Sequence, residues 1–497
     1  MKKFIKNSLL LCLSTGIINI IEIITNAYIT QKIGTTVLGS YSLITNVFNF
    51  LITISLFGIP LAIIKIVSEK DELKDNCSIV TATKISYKIC AIISLIVCIS
   101  TIFLREKISL ILLNGLKDTS IIILISLSLP FMALSTCICG YFNALRKVEK
   151  PIITEFLSHV TRSGIIMYLI YIKSPTFKAF GLSILISETV AFLYSYMMYK
   201  VDIKKANVDI CNVSASQKIQ TSKEIFRIAT PISFTSFVRS GLSTIKHILI
   251  PLRLQKFGFS YDYALSRYGL IHGIALPFVL MPSIFINCFS SLLLPEYSRL
   301  FVTKNIAKIQ ATTERIFKIT LKASLYISFL IYISSDFICY KIYKNTEVSY
   351  FVKVLLPLVC IVYLDYIVDN ILRGLDLQVK VMKINIIDVI ISISLIYFGV
   401  PYLGTFGYIL VIYVSEYLNG VLSIELLLDT IKMKFKYLEW IFIPLLQMSI
   451  SFFISNKIIP TPKNFLSILI SIFIFSILFL ILDLLTKLLL NRQIKRK

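Results

Sequence analysis

The 497 residues predict an all-α integral membrane protein of about 14 transmembrane helices, arranged as two parallel six-helix lobes followed by two C-terminal helices. Three observations point there. Hydrophobic residues make up 56% of the chain and charged residues only 16%, and the charges gather between long apolar runs. A run of roughly 20 apolar residues is what a helix needs to cross a hydrocarbon core of about 30 Å. The chain also repeats itself. Gln31-Lys32-Ile33-Gly34 returns as Gln255-Lys256-Phe257-Gly258, an offset of 224; Ser40-Tyr41-Ser42-Leu43 returns as Arg267-Tyr268-Gly269-Leu270, and Asn143-Ala144-Leu145-Arg146 as Asn370-Ile371-Leu372-Arg373, both at 227. Phe180-Gly181 and Ser187-Glu188 are echoed by Phe406-Gly407 and Ser415-Glu416 in the same order.

The 14 spans begin near residues 9, 38, 85, 119, 152, 179, 225, 265, 318, 350, 384, 405, 438 and 464. Backbone in hydrocarbon must satisfy its own hydrogen bonds, so the spans are helices. The first could pass for a signal peptide, but its apolar stretch continues to about Ile29 with no small-residue cleavage site, which reads as a retained span. Residues 1–199 form the N-terminal lobe, 200–224 a cytoplasmic linker, 225–428 the C-terminal lobe and 438–489 the two additional helices. Six crossings return the chain to its starting side, so the repeats are parallel, with a substrate path expected in a central cavity between the lobes. Prolines 60, 130, 231, 277, 282, 357 and 444 fall inside spans; Pro277 and Pro282 together predict a local break in span 8.

With the N-terminus inside, cytoplasmic segments carry 31 of the 51 lysines and arginines and outer segments 11. That bias places both termini in the cytoplasm and accounts for most of the +24 net charge. Basic residues spread over many short inner segments suit anionic lipid and form no groove for nucleic acid. Ten scattered cysteines outline neither a disulfide framework nor a metal site, and His159, His247 and His272 share no motif.

Ionisable residues inside spans are costly unless they face a partner or a wet cavity, so they carry the chemistry. Arg239 and Lys246 lie seven apart, on one face of span 7; Asn19, Glu22 and Asn26 share a face of span 1. The repeat offset sets Glu22 against Lys246: either they pair across the lobes, or the cationic face of span 7 receives an anionic head group. Arg239, opposite Thr15 in the repeat, favours substrate contact. Arg162 could instead pair with Glu155 or Glu188. Glu188 and its echo Glu416, Asp365, Asn385 and Asp388 are deep polar groups that could carry a coupling ion or serve only as packing hydrogen bonders.

Gly58-Ile59-Pro60-Leu61-Ala62-Ile63-Ile64-Lys65-Ile66-Val67-Ser68-Glu69, the run from Gly273 to Ser283 and Leu294-Pro295-Glu296-Tyr297-Ser298 resemble the stage V sporulation protein B family, over nearly the whole chain. That family belongs to the polysaccharide-transporter branch of the multidrug/oligosaccharidyl-lipid/polysaccharide exporters, a MATE- and MurJ-like plan. The resemblance implies movement of a lipid-linked, pyrophosphate-bearing cell-wall saccharide across the cytoplasmic membrane of a sporulating Gram-positive bacterium. Related lipid II flippases line their cavity with arginines on early spans of both lobes; here the cationic candidates are Arg239, Lys246 and Arg267, and span 1 offers Glu22. Their sodium site uses acids on spans 7 and 11; span 11 here has Asn385 and Asp388, but span 7 has no acid.

The expectation is therefore a flippase working by alternating access, not an enzyme. It needs no cofactor beyond Na+ or H+ if transport is coupled. Its partners would be a lipid-linked saccharide, membrane lipids and a cell-wall synthase. A cation-coupled multidrug antiporter of the same fold is the alternative, favoured by Glu22 and opposed by Arg239 and Lys246. A membrane glycosyltransferase or polymerase would need paired carboxylates or a His/Arg cluster on one face; the outer segments offer only Glu106, Asp118, Asp262 and Glu347. A scaffold that transports nothing would have little use for buried charges.

Overall fold

Every regular element is a helix in the computed structural model, which describes residues 2–73, 75–112, 119–205, 215–303, 305–460 and 464–494. Asp118 and most of the linker, 206–214, lie outside the described residues. The chain runs through α1 (Lys2–Lys32), α2 (Thr35–Leu56), α3 (Ile59–Glu72), α4 (Asn76–Phe103), α5 (Arg105–Leu112), α6 (Ser120–Ala144), α7 (Glu149–Tyr171), α8 (Thr176–Lys205), α9 (Ala215–Lys256) and α10 (Tyr261–Tyr268). A π-helical stretch, Gly269–Ala275, leads into α11 (Leu276–Leu280) and α12 (Ser283–Val302). Then come α13 (Ile306–Tyr343), α14 (Thr346–Leu355), α15 (Leu358–Gly374), α16 (Gln378–Ile431), a second π-helical turn (Leu438–Phe442), α17 (Ile443–Ile458) and α18 (Phe465–Ile494).

The duplicated Gln-Lys-x-Gly motif is a duplicated helix stop. Helices α1 and α9 both end on its lysine, and the glycine two residues on has φ of 104° at Gly34 and 112° at Gly258. Side-chain-bearing residues rarely adopt that conformation, which glycine takes at little cost.

Prolines act by position. Pro60 sits in the first turn of α3, where no intrahelical bond is lost, and Pro444 follows closely on the π-helical turn that opens its span. Pro130 stays inside a continuous α6. The expected break in span 8 is present: Tyr261–Leu280 and Ser283–Ser290 meet at 59°, and span 10 bends by 54° between α14 and α15, beside Pro357.

Nine helices among the described residues are long and apolar enough to cross a membrane, or up to 11 if each bent pair is one span. The expected count of about 14 is not reached by this measure, for identifiable reasons. Spans 11 and 12 are one helix, α16, kinked at Gly404 (φ 57°, ψ −133°). Spans 5 and 7 are the long helices α7 and α9, whose charges and hydroxyls, Arg162 and Arg239 among them, leave them less apolar.

The chain divides into two compact units, Met1–Gly269 and Leu270–Lys497. In the first, α6 packs on α3, α4 and α8, around Ile63, Cys90, Cys137, Ile138 and Phe142. Helix α9 packs on α2, α3 and α4, and α10 on α2 and α9. The α2–α10 approach is tight: a Cβ on Gly39 would stand 2.1 Å from the Leu265 carbonyl oxygen, so only glycine fits. In the second unit, α15 packs on α12, α13 and α16, around Tyr297, Phe317, Leu364, Ile371 and the sole tryptophan, Trp440. Helix α18 buries Phe475 and Phe479 but exposes Phe465, Leu469, Phe473, Leu480 and Leu484, as a lipid-facing helix does.

Buried hydroxyls are mostly satisfied inside their own helices; Ser55, Ser126 and Thr83 each donate to a carbonyl four residues back. Among the described residues eight cysteines are free thiols and Cys77 is disulfide-bonded, which the scattered cysteines had not suggested. Outside the spans, Asp75 caps α4 by accepting the Ser78 N–H at 3.0 Å, and the Ser78 hydrogen bonds hold its carboxyl below the ordinary 3.8.

Candidate functional site: ionisable groups within the helices

In the first unit, α7 is the charged helix. Arg162 donates to Glu188 Oε1 at 2.5 Å, and Ser158 donates to the same oxygen at 3.0 Å. Both charges are sequestered, with side-chain exposures of 16% and 5%. The pairing foreseen as an alternative for Arg162 is thus the one formed. One turn earlier, His159 Nδ1 lies 3.2 Å from Glu22 on α1, whose side chain is half-exposed. Asn19 and Asn26 are half-buried on the same helix. A lone histidine gave no sequence signal for that contact.

Helix α9 presents a packing face and a charged flank. Its packing face meets α2 through Thr53–Ser240, Thr244 to the Asn46 carbonyl, and the Phe50–Phe237 ring pair. Arg239, next to Ser240, is exposed and makes no hydrogen bond or ion pair among the described residues. Lys246 is half-buried on the same flank. His247 serves packing: its Nδ1 lies 3.2 Å from the Tyr268 hydroxyl, which also accepts from Asn46 Nδ2 at 3.2 Å. Arg267 on α10 stacks over the Tyr263 ring, 4.6 Å from its centroid, and donates to that hydroxyl.

The second unit holds a polar group of different character. Asp388 is buried and accepts from Ser415 at 2.8 Å and Ser392 at 3.4 Å, which joins the two halves of the kinked α16. Asn385 is half-buried one turn before Asp388, and Glu416 half-buried beside Ser415. Asp365 on α15 accepts from Asn419 Nδ2 at 3.4 Å. Asp369 lies one turn along α15 from Asp365, with its second oxygen 3.5 Å from Arg373. Asp369, Asn419 and Ser423 were not singled out from sequence; the available signal was their four-residue spacing, 365 to 369 and 419 to 423, which puts each pair on one helix face.

A crevice of about 1100 Å³ also opens in this unit, walled by Leu325, Phe329, Leu364, Val421, Ile441 and Phe452. Lys353, which pairs with Asp336 at 2.6 Å, lies on its lining, as do Glu425, Asp429 and Lys434. Its surface suits a chain of methylenes more than a sugar. Among the described residues no group of three His, Cys, Asp or Glu side chains is placed to hold a metal ion.

Two helical units, broken spans and charges held within apolar helices define a polytopic membrane protein. Residues 4–301 match the family model described as polysaccharide biosynthesis protein, and the chain belongs to that family. It is 22% identical over 415 residues to stage V sporulation protein B of Bacillus subtilis (strain 168), covering 81% of this chain and 79% of that one. Among solved structures it shares the fold of the lipid II flippase MurJ in an inward closed conformation, with a TM-score of 0.74 at 16% identity, over 97% of this chain and 100% of that one. An inward-facing multidrug resistance MATE family transporter follows with a TM-score of 0.61 at 14% identity, over 83% and 95% of the two chains.

Proposed function

We propose that this protein moves a lipid-linked, pyrophosphate-bearing oligosaccharide, of the peptidoglycan-precursor kind, across the cytoplasmic membrane by alternating access. The observation that carries the reading is Arg239. An exposed guanidinium without a protein partner, near the middle of a 42-residue helix, is costly unless it meets water or an anion. A guanidinium fork fits two oxygens of a phosphate, which makes arginine the natural grip for a pyrophosphate. Lys246 and Arg267 extend the cationic surface, while Asn19, Glu22 and Asn26 offer hydrogen bonds to sugar or peptide. Residues 1–199 and 225–428 are the moving lobes, and 438–489 stay with the bilayer. The cycle requires the ligand to favour the inward and outward states unequally in turn.

The stage V sporulation relative supports a role in spore cortex or cell-wall polysaccharide synthesis in a sporulating Gram-positive bacterium, and the bias of lysine and arginine supports cytoplasmic termini. A cell-wall synthase would consume the flipped product. Binding tests the grip directly: in nanodiscs, wild type should bind a polyprenyl-pyrophosphate saccharide and Arg239→Ala should lose about tenfold or more, the scale of a charge-assisted hydrogen bond worth ~1.5–3 kcal/mol. Unchanged binding by Arg239→Ala would remove that role. The half-exposed Glu22 favours a second reading, a cation-coupled drug antiporter; ion-driven efflux of cationic dyes that Glu22→Gln abolishes would establish it.

A further inference from the structure

In the second unit, α13 carries a cationic stripe. Lys308, Arg315, Lys318 and Lys322 recur at steps of seven, three and four, which puts all four on one helix face. The opposite face is the packed one, where Ile309, Thr313, Phe317, Thr320 and Ser324 are buried. Lys308, Arg315 and Lys318 are exposed and make no ion pair among the described residues. Glu314, the acid next to Arg315, is taken by Lys436.

The stripe runs up to α18, which packs antiparallel to α13. The Tyr326 and Ser476 hydroxyls are 2.7 Å apart, and Lys322 lies over the Phe479 ring and 2.6 Å from Asp483 Oδ2. Lys487, one turn further along α18, reaches the same oxygen at 3.0 Å. One carboxylate thus serves two ammonium groups, while Lys318 and Arg315 continue the face with no acid to meet them. Like charges at this spacing repel, so the surplus calls for an anion.

Depth identifies that anion. At 1.5 Å per residue, Lys322 stands about 32 Å along α13 from Tyr343, and Asp483 about 27 Å along α18 from Phe465. Both lengths match a hydrocarbon core of about 30 Å, so the cations lie where phospholipid headgroups begin. Beside them Ile319, Leu480 and Leu484 are each more than half exposed, which offers acyl chains a surface next to phosphate ligands. A soluble anion would leave that surface unused, whereas basic residues between helices at a membrane face suit anionic headgroups.

We propose that Arg315, Lys318, Lys322 and Lys487 bind the headgroup phosphate of one anionic phospholipid, seated where α13 and α18 meet. Asp483 is a positioning residue that holds Lys322 and Lys487 together. The site needs no transported substrate, so it stands or falls separately from the flippase reading.

The test uses the full-length protein in detergent, without substrate. Native mass spectrometry counts retained phosphatidylglycerol against phosphatidylcholine, and thermal unfolding reads the effect of each. Wild type should retain one phosphatidylglycerol in preference to phosphatidylcholine and melt higher with it, because a ligand that binds only the folded state stabilises it. Arg315→Gln with Lys318→Gln breaks no ion pair, so it should melt no lower than wild type without lipid, and its affinity for phosphatidylglycerol should fall about tenfold or more. Lys223→Gln with Arg227→Gln removes the same charge from the exposed side of α9 and should keep the preference. Equal loss in the two double variants would overturn the site in favour of diffuse attraction by net charge. Equal retention of both lipids by wild type, or a preference that survives Arg315→Gln with Lys318→Gln, would also overturn it. Inorganic phosphate that raises the midpoint as far as phosphatidylglycerol would overturn the lipid in favour of a free anion.

Discussion

The two units each carry a Ser-Glu pair of the repeat beside a buried acid, Glu188 itself in the first and Asp388 in the second, and treat their acids differently. In the first, Glu188 follows Ser187 and is met by Arg162 and Ser158. In the second, Glu416 follows Ser415, while the neighbouring Asp388 has serine hydroxyls and Asp365 a weak amide contact. The first arrangement is charge-balanced within the protein. The second leaves oxygen atoms unmet, as at Asp365 and Asp369. A buried ion pair holds a fold in register, whereas an uncompensated acid calls for something from outside.

The largest effect should come from breaking the balanced pair. Arg162→Met strands Glu188 and should cost ~3–5 kcal/mol, read as a fall in the unfolding midpoint in detergent. The double variant Arg162→Met with Glu188→Leu should recover most of that loss, since no unpaired charge remains. If the single variant is as stable as wild type, the pair is not what balances the first unit. Helix contact beside the unmet acids comes next. Gly420→Ala drives a methyl onto Ile361, for a cost of about 1–3 kcal/mol by overpacking. An unchanged midpoint would mean that α15 and α16 can part there.

Asp365→Asn sharpens the contrast by sign: it should raise stability by about 1 kcal/mol, the low end of an unmet polar group's cost. The same exchange at Glu188, Glu188→Gln, should lower it. The smallest effect belongs to an acid outside the spans. Asp75→Ala removes the α4 cap for ~1 kcal/mol. Because the folded carboxyl titrates below the ordinary 3.8, its contribution is complete above that pH and fades as pH falls through the lower folded value. A pH titration of wild type against Asp75→Ala should converge at the acid end and differ above it.

Much of this was legible in the sequence because the relevant signals are local. Apolar run length marked the helices, Pro277 and Pro282 marked the bend before α12, and the Gln-Lys-x-Gly echo marked paired helix ends. The count of spans was less legible, because Gly404 permits a kink without ending α16 and because Arg239 and its hydroxyl neighbours make α9 less apolar than a span is expected to be. Side-chain partners between helices were legible only in part. Arg162 and Glu188 are both rare charges in one half, so their pairing could be weighed. His159 meeting Glu22 and Ser423 standing beside Asp365 depend on which helix faces which, and that is set by close contacts such as Gly39 on Leu265 and Gly420 on Ile361 rather than by any motif.

The most direct measurement is translocation of a polyprenyl-pyrophosphate cell-wall precursor in proteoliposomes, comparing wild type with Arg239→Ala at equal reconstitution. The account predicts flipping by wild type and its loss in Arg239→Ala, with partial retention in Arg239→Lys, which keeps the charge without the fork. Equal flipping by wild type and Arg239→Ala would contradict the cationic grip, and no flipping by folded wild type would contradict the assignment of substrate.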